Sequence, residues 1–119
     1  MRTFVFAKTR FEGLHCWSSI PDNVEAQYLK NLHRHLFHIK VVINVFTALD
    51  REIEIIDLKH RIDLFLETVF PNKINGLPDM GTTSCELLCH ILYDHFGAEK
   101  VVVSEDGENG AIVSRKCFK

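Results

Sequence analysis

The run from Leu32 to about Leu49 contains no glycine or proline and is dense in β-branched and aromatic residues, above all in Val41-Val42-Ile43-Asn44-Val45-Phe46. A stretch of that composition reads as one long strand. It opens with Leu32-His33-Arg34-His35-Leu36-Phe37-His38-Ile39. Alternate side chains of a strand share a face, so His33 and His35 look the same way, roughly 6.5 to 7 Å apart along the chain. Two imidazoles so placed can share a metal ion.

A third donor stands in Phe11-Glu12-Gly13-Leu14-His15, at the end of an earlier strand-like run in which Phe4, Val5, Phe6 and Phe11 sit among Thr, Lys and Arg. If the two strands pair antiparallel, His15 approaches His33 and His35. Three histidines leave one coordination position open, which is the arrangement of a reactive zinc and not of a structural one. Taken alone, a His-x-His pair is more often a polar strand face, so the surrounding sequence has to carry the reading.

The rest of the chain reads as follows. Cys16 to Asn31 is a polar loop, long enough to be functional. Asp57 is expected to cap a helix whose Leu58, Ile62, Phe65, Leu66 and Val69 recur at helical spacing, and Phe70-Pro71-Asn72 ends it. Residues 72–82 connect to Thr83-Ser84-Cys85-Glu86, which has the form of a capping box with Thr83 as the cap and Glu86 reaching back. Leu88, Ile91, Leu92 and Phe96 form the second helical stripe, and Gly97 ends it. Two short strands, Lys100 to Glu105 and Ala111 to about Lys116, flank the turn chemistry of residues 106–110. The expected fold class is therefore α+β, one domain over residues 1–119 with the order ββααββ and both helices on one face of an antiparallel sheet.

Composition narrows the functional classes. The 119 residues suffice for one modest core. The formal charge of -2, from 14 basic and 16 acidic residues mixed along the chain, gives no polyanion-binding footprint and argues against nucleic acid as the main ligand. Cys16, Cys85, Cys89 and Cys117 show no Cys-x-x-Cys spacing, the N-terminal residues lack the apolar core of a secretion signal, and no apolar run approaches the ~20 residues of a bilayer span. The expectation is a cytoplasmic protein with reduced thiols and no membrane partner.

The wording around the histidines, Phe11-Glu12-Gly13-Leu14-His15 followed by Leu32-His33-Arg34-His35-Leu36-Phe37, resembles the 6-pyruvoyltetrahydropterin synthase and 6-carboxytetrahydropterin synthase family. Ile55-Ile56-Asp57-Leu58 is similar to the family's Ile-Asp-Phe helix start, and Thr83-Ser84-Cys85-Glu86-Leu87-Leu88 to its Pro-Thr-x-Glu motif. Val103-Ser104-Glu105 followed by Gly110-Ala111-Ile112 resembles the final Glu-Thr hairpin, so the likeness covers nearly the whole chain.

That resemblance implies the tunnelling fold, in which subunits join their sheets into a barrel and a homohexamer forms as a dimer of trimers. A closed ring would also remove the two open edges of a four-stranded sheet. It implies zinc on His15, His33 and His35, and a pterin held by Glu105 with Ser84, Cys85 and Glu86 nearby. A carboxylate suits the ring edge of a pterin because it accepts two parallel N–H bonds. The implied reaction is a zinc-dependent elimination on 7,8-dihydroneopterin triphosphate.

Two departures stand against these matches. The family's catalytic cysteine, four residues before the first histidine of the pair, is replaced by Leu29, and its Asp-His pair aligns with Phe70 and Pro71. None of the three can move a proton. Cys16 and Glu25, with Asp22 beside them in the long loop, are the candidate replacement bases. The alternative is a zinc- and pterin-binding homologue without turnover. His38 faces away from the pair, and His60, His90 and His95 read as solvated helix residues.

Overall fold

The computed structural model describes residues 1–46 and 50–115. Two long strands, β1 (Thr3–His15) and β2 (His33–Val45), pair antiparallel in a single register from Thr3↔Val45 to His15↔His33. The strand expected over 32–49 therefore ends at Val45, and residues 47–49 lie outside the described residues. A 3₁₀ turn, Gln27–Lys30, sits in the connecting loop. Then come helix α1 (Ile55–Val69), a short hairpin of β3 (Lys73–Ile74) and β4 (Leu77–Pro78), helix α2 (Cys85–Phe96), and the strands β5 (Lys100–Glu105) and β6 (Asn109–Ser114).

The main sheet has the order β1-β2-β5-β6, antiparallel throughout. This bears out the α+β class and the helix–strand succession. The β3–β4 hairpin is an addition, lying where a plain loop was expected. Its turn is Asn75-Gly76, both at positive φ, a pair favoured in tight two-residue hairpin turns.

Period-two alternation decides which face is dry. On the helix side of the sheet Ala7, Phe11, Phe37, Ile39, Val41, Ile43, Val101 and Val103 are buried. They pack against Leu58, Ile62 and Leu66 of α1 and Leu88, Cys89 and Leu92 of α2, one stripe from each helix. Burying those side chains removes apolar area from water, the main favourable term in folding.

Both helix caps differ by position from the sequence expectation. In α1 the cap is Glu54, whose side chain accepts from the Asp57 amide at 2.8 Å, and Asp57 lies in the first turn, where a carboxylate favours the helix dipole. In α2 the cap is Ser84, accepting from the Leu87 amide at 3.1 Å. Thr83 is not the cap, because its carbonyl is held by His15 and the chain has not yet turned into the helix. Glu86 consequently makes no capping-box bond. Gly97 ends α2 in the left-handed conformation, as expected.

β2 pairs with β5 only from Phe37↔Glu105 to Val42↔Lys100. Among the described residues, the His33–Leu36 end of β2 thus has no strand on that side. The turn after β5 fills part of the space: the Asp106 amide donates to the Leu36 carbonyl at 2.7 Å, and the Leu36 amide to the Asp106 carboxylate at 3.0 Å. Among the described residues no helix is long and apolar enough to cross a membrane.

Candidate metal centre

His15 and His33 are direct cross-strand partners, and His35 lies opposite Gly13 on the same face. The rings converge, with centroids 4.7 Å apart for His15–His33, 5.3 Å for His15–His35 and 5.0 Å for His33–His35. One ligand atom from each histidine lies within 4.8 Å of the other two, so the cluster could hold a metal ion.

The other ring nitrogens explain why these imidazoles point inward. His15 Nδ1 meets the Thr83 carbonyl at 2.7 Å, His33 Nδ1 the Asn31 carbonyl at 2.7 Å, and His35 Nδ1 the Asp106 carboxylate at 2.8 Å. Each partner is an acceptor, so each Nδ1 carries the proton and donates it. In the neutral ring the lone pair then sits on Nε2. His33 Nε2 and His35 Nε2 are buried with no hydrogen-bond partner among the described residues. Buried polar atoms are rarely left so. Tautomers fixed by outer oxygens, with the second ring nitrogens turned to one another, are the usual surroundings of a metal-binding histidine set.

The loop before α2 supplies the Thr83 carbonyl. Residues 79–81 run beside the end of β1, with the Met80 amide bonded to the Leu14 carbonyl and the Cys16 amide to the Gly81 carbonyl. Gly13 permits that approach, since a Cβ there would lie 2.6 Å from Met80 Sδ. Burial is the first cause that lowers the His15 pKa, opposed by the Thr83 bond and by Glu105. A neutral, unprotonated imidazole is the form that binds a metal.

A cavity of about 550 Å³ opens beside His15 and His33. Glu105 stands at the junction, with one carboxylate oxygen 3.2 Å from His15 Nε2 and the other 3.6 Å from His35 Nε2. Cys16, Ser84, Cys85 and Glu86 also line it, so five of the seven non-histidine residues singled out in the sequence share one wall. Asp22 and Glu25 do not; both are exposed in the long loop. The Ser84 hydroxyl is committed to its cap. Burial pushes the Cys85 thiol up to about 12, with Glu105 beside it as a further cause, so it stands as a neutral thiol. Cys89, buried, bonds the Ala111 carbonyl at 3.3 Å and serves the core.

Leu29, which stands where the sequence resemblance led us to look for a cysteine, lines the cavity. Phe70 is buried with its ring 5.7 Å from that of Phe11, and Pro71 is exposed. His38 is on the opposite sheet face, as expected, and His95 stacks on Phe65 at 3.8 Å. Sequence reasoning missed Asn31, Thr83 and Asp106 as partners of the imidazoles, and Trp17 on the cavity wall. Only Asp106 had a readable signal, as an acid placed directly after a strand that neighbours β2. A scan against protein-family models matches none, and a search of curated proteins returns no match.

Proposed function

We propose that this protein is a zinc-dependent lyase of the 6-pyruvoyl or 6-carboxytetrahydropterin synthase type, acting on 7,8-dihydroneopterin triphosphate. The observation that carries the reading is the set of three imidazoles with Nδ1–H committed outward and Nε2 turned to a common centre, at the wall of a cavity that also holds Glu105. Imidazole donors suit zinc among the available divalent ions. His15, His33 and His35 would hold it, and when bound it supplies Lewis acidity that polarises the substrate side-chain oxygens and acidifies the adjacent C–H.

The chain's own residues divide the remaining work. Glu105 accepts paired N–H bonds from the ring edge of the pterin. Glu86, free of any capping bond, and Cys85 as a neutral thiol line the same wall. Cys16, half-buried on that wall and one residue beyond a ligand, takes the substrate proton as base. Two open sheet edges, β1 and β6, and the exposed Phe4, Phe6, Phe46 and Ile112 support assembly of several copies into a ring, a homohexamer by the family resemblance.

A second reading, a zinc- and pterin-binding homologue without turnover, is favoured by Leu29, an alkyl side chain where the related enzymes carry their proton acceptor. One experiment separates them. Zinc-loaded protein is incubated with 7,8-dihydroneopterin triphosphate, and free triphosphate and bound pterin are both measured. Triphosphate release that is lost in Cys16→Ser supports the lyase. Pterin binding weakened by Glu105→Ala without any release supports the second reading, and no pterin binding at all defeats both.

A further inference from the structure

The sheet face turned away from the helices carries a second concentration of polar groups. Its strand residues include Lys8, Arg10, Arg34, Lys40 and Lys100, against one carboxylate, Glu12, already paired with Arg34 at 2.5 Å. The register sets Lys8 directly across from Lys40 and Arg10 directly across from His38. Like charges opposite one another on a sheet repel. Among the described residues, no carboxylate stands within ion-pair distance of Lys8, Arg10, Lys40 or Lys59. The one compensation is Lys40 Nζ lying 4.6 Å from the centre of the Phe6 ring.

These groups are not scattered. Lys8, Arg10, His38, Lys40 and Ser104 line a cavity of about 510 Å³, and Lys59 of α1 reaches the same space. We propose that this cluster binds a linear oligophosphate, free or carried as a phosphate ester. The cations are spread over two adjacent strands and two successive same-face positions, so an anion touching all of them must carry charge over several ångströms. A single carboxylate cannot; a chain of phosphates can. Arg10 offers the planar fork that matches phosphate oxygens, the lysines supply point charges, and His38 and Ser104 supply hydrogen bonds. A bound polyanion would also relieve the Lys8–Lys40 repulsion. The cluster lies on the sheet face opposite the histidine centre, so the inference stands whether or not the lyase reading holds.

Calorimetric titration of the full chain with inorganic tripolyphosphate, at about 0.05 M salt to limit screening, tests it. The expected result is saturable binding at one site per chain, weakened at least about tenfold in Lys8→Thr and in Lys40→Thr. Lys73→Thr, a charge removed from the exposed β3 hairpin, should bind as the unaltered protein does. Lys8→Thr should melt no lower than the unaltered protein in the absence of anion, which separates lost binding from lost folding. A nucleoside triphosphate run in parallel distinguishes an ester-borne chain from the free one by which binds more tightly. Heat that does not saturate, equal weakening by Lys73→Thr, or tighter binding of a single-stranded oligonucleotide would overturn the proposal.

Discussion

Asp106 shows how much a single outer contact decides. Its carboxylate takes the Nδ1 proton of His35 at 2.8 Å and the Leu36 amide at 3.0 Å, so it fixes both the tautomer and the strand end that carries the ligand. Backbone and side-chain bonds, the Leu36 amide first and His35 next, hold the Asp106 carboxyl below the usual carboxylate range, so it stays an acceptor at neutral pH. Replacing such a partner commonly weakens metal binding about 10- to 100-fold. Asp106→Ala is accordingly expected to weaken zinc binding by that factor in a competition with a chromophoric chelator, whereas Asp63→Ala, away from the centre, should not. The thiols offer an independent check on the wall of the cavity. Cys85 is held protonated, with a pKa pushed up to about 12, and Cys89 is fully buried, while Cys16 is partly open. Alkylation with iodoacetamide at pH 8 followed by peptide mapping should label Cys16 well before Cys85 or Cys89. Equal rates for Cys16 and Cys85 would contradict the burial described.

At the scale of elements, the β5–β6 hairpin holds Glu105 and Asp106 in place, and its tightest point is Gly110. A Cβ there would lie 1.9 Å from the Val103 carbonyl oxygen and 2.5 Å from Ser104 Cα, both backbone atoms that cannot swing aside. Gly110→Ala should therefore force the strands apart, at a cost of about 1–3 kcal/mol typical of overpacking, read as a lower urea midpoint. Zinc affinity should fall with it, because the hairpin carries the partner of His35. The same elements show what a sequence discloses. Alternation in β1 and β2 and the stripes Leu58-Ile62-Leu66 and Leu88-Leu92 were legible because burial has a period. The caps at Glu54 and Ser84 each escaped by position, because several adjacent polar residues can serve and only the path of the chain chooses among them. The β3–β4 hairpin was legible in Asn75-Gly76 but hidden by strands too short to show alternation. For the site, the three histidines lay in a recognisable pattern, while the carbonyls of Asn31 and Thr83 could not be read, since every residue has one and only the fold aims it.

For the whole molecule, the sheet separates two chemistries: three converging imidazoles on the helix side and clustered cations on the other. A mixed linear charge pattern concealed the second, because residues 8, 10, 38, 40 and 59 meet only through register and helix placement. The first is expected to make stability depend on pH and, with zinc bound as proposed, on metal, with a sign that follows from His15. Burial sets its folded pKa below the ordinary 6.5. Above pH 6.5 both the folded and the unfolded chain hold it neutral, and its contribution is intact. As pH falls below 6.5 the unfolded chain takes up a proton that the folded chain refuses, so stability declines through the window down to the lowered folded value. A metal ion competes for the same Nε2 lone pair, and at a free concentration about 100 times Kd it would add about 2.7 kcal/mol to the folded state. Melting curves of metal-free and zinc-loaded protein between pH 8 and pH 5 should show the metal-free Tm falling below pH 6.5, and the gain from zinc largest near pH 8 and shrinking towards pH 5. In His15→Gln the zinc-dependent gain should largely vanish and the acid-side decline should flatten. A gain from zinc that is undiminished at pH 5, or that survives in His15→Gln, would mean that the metal sits elsewhere than among these three rings.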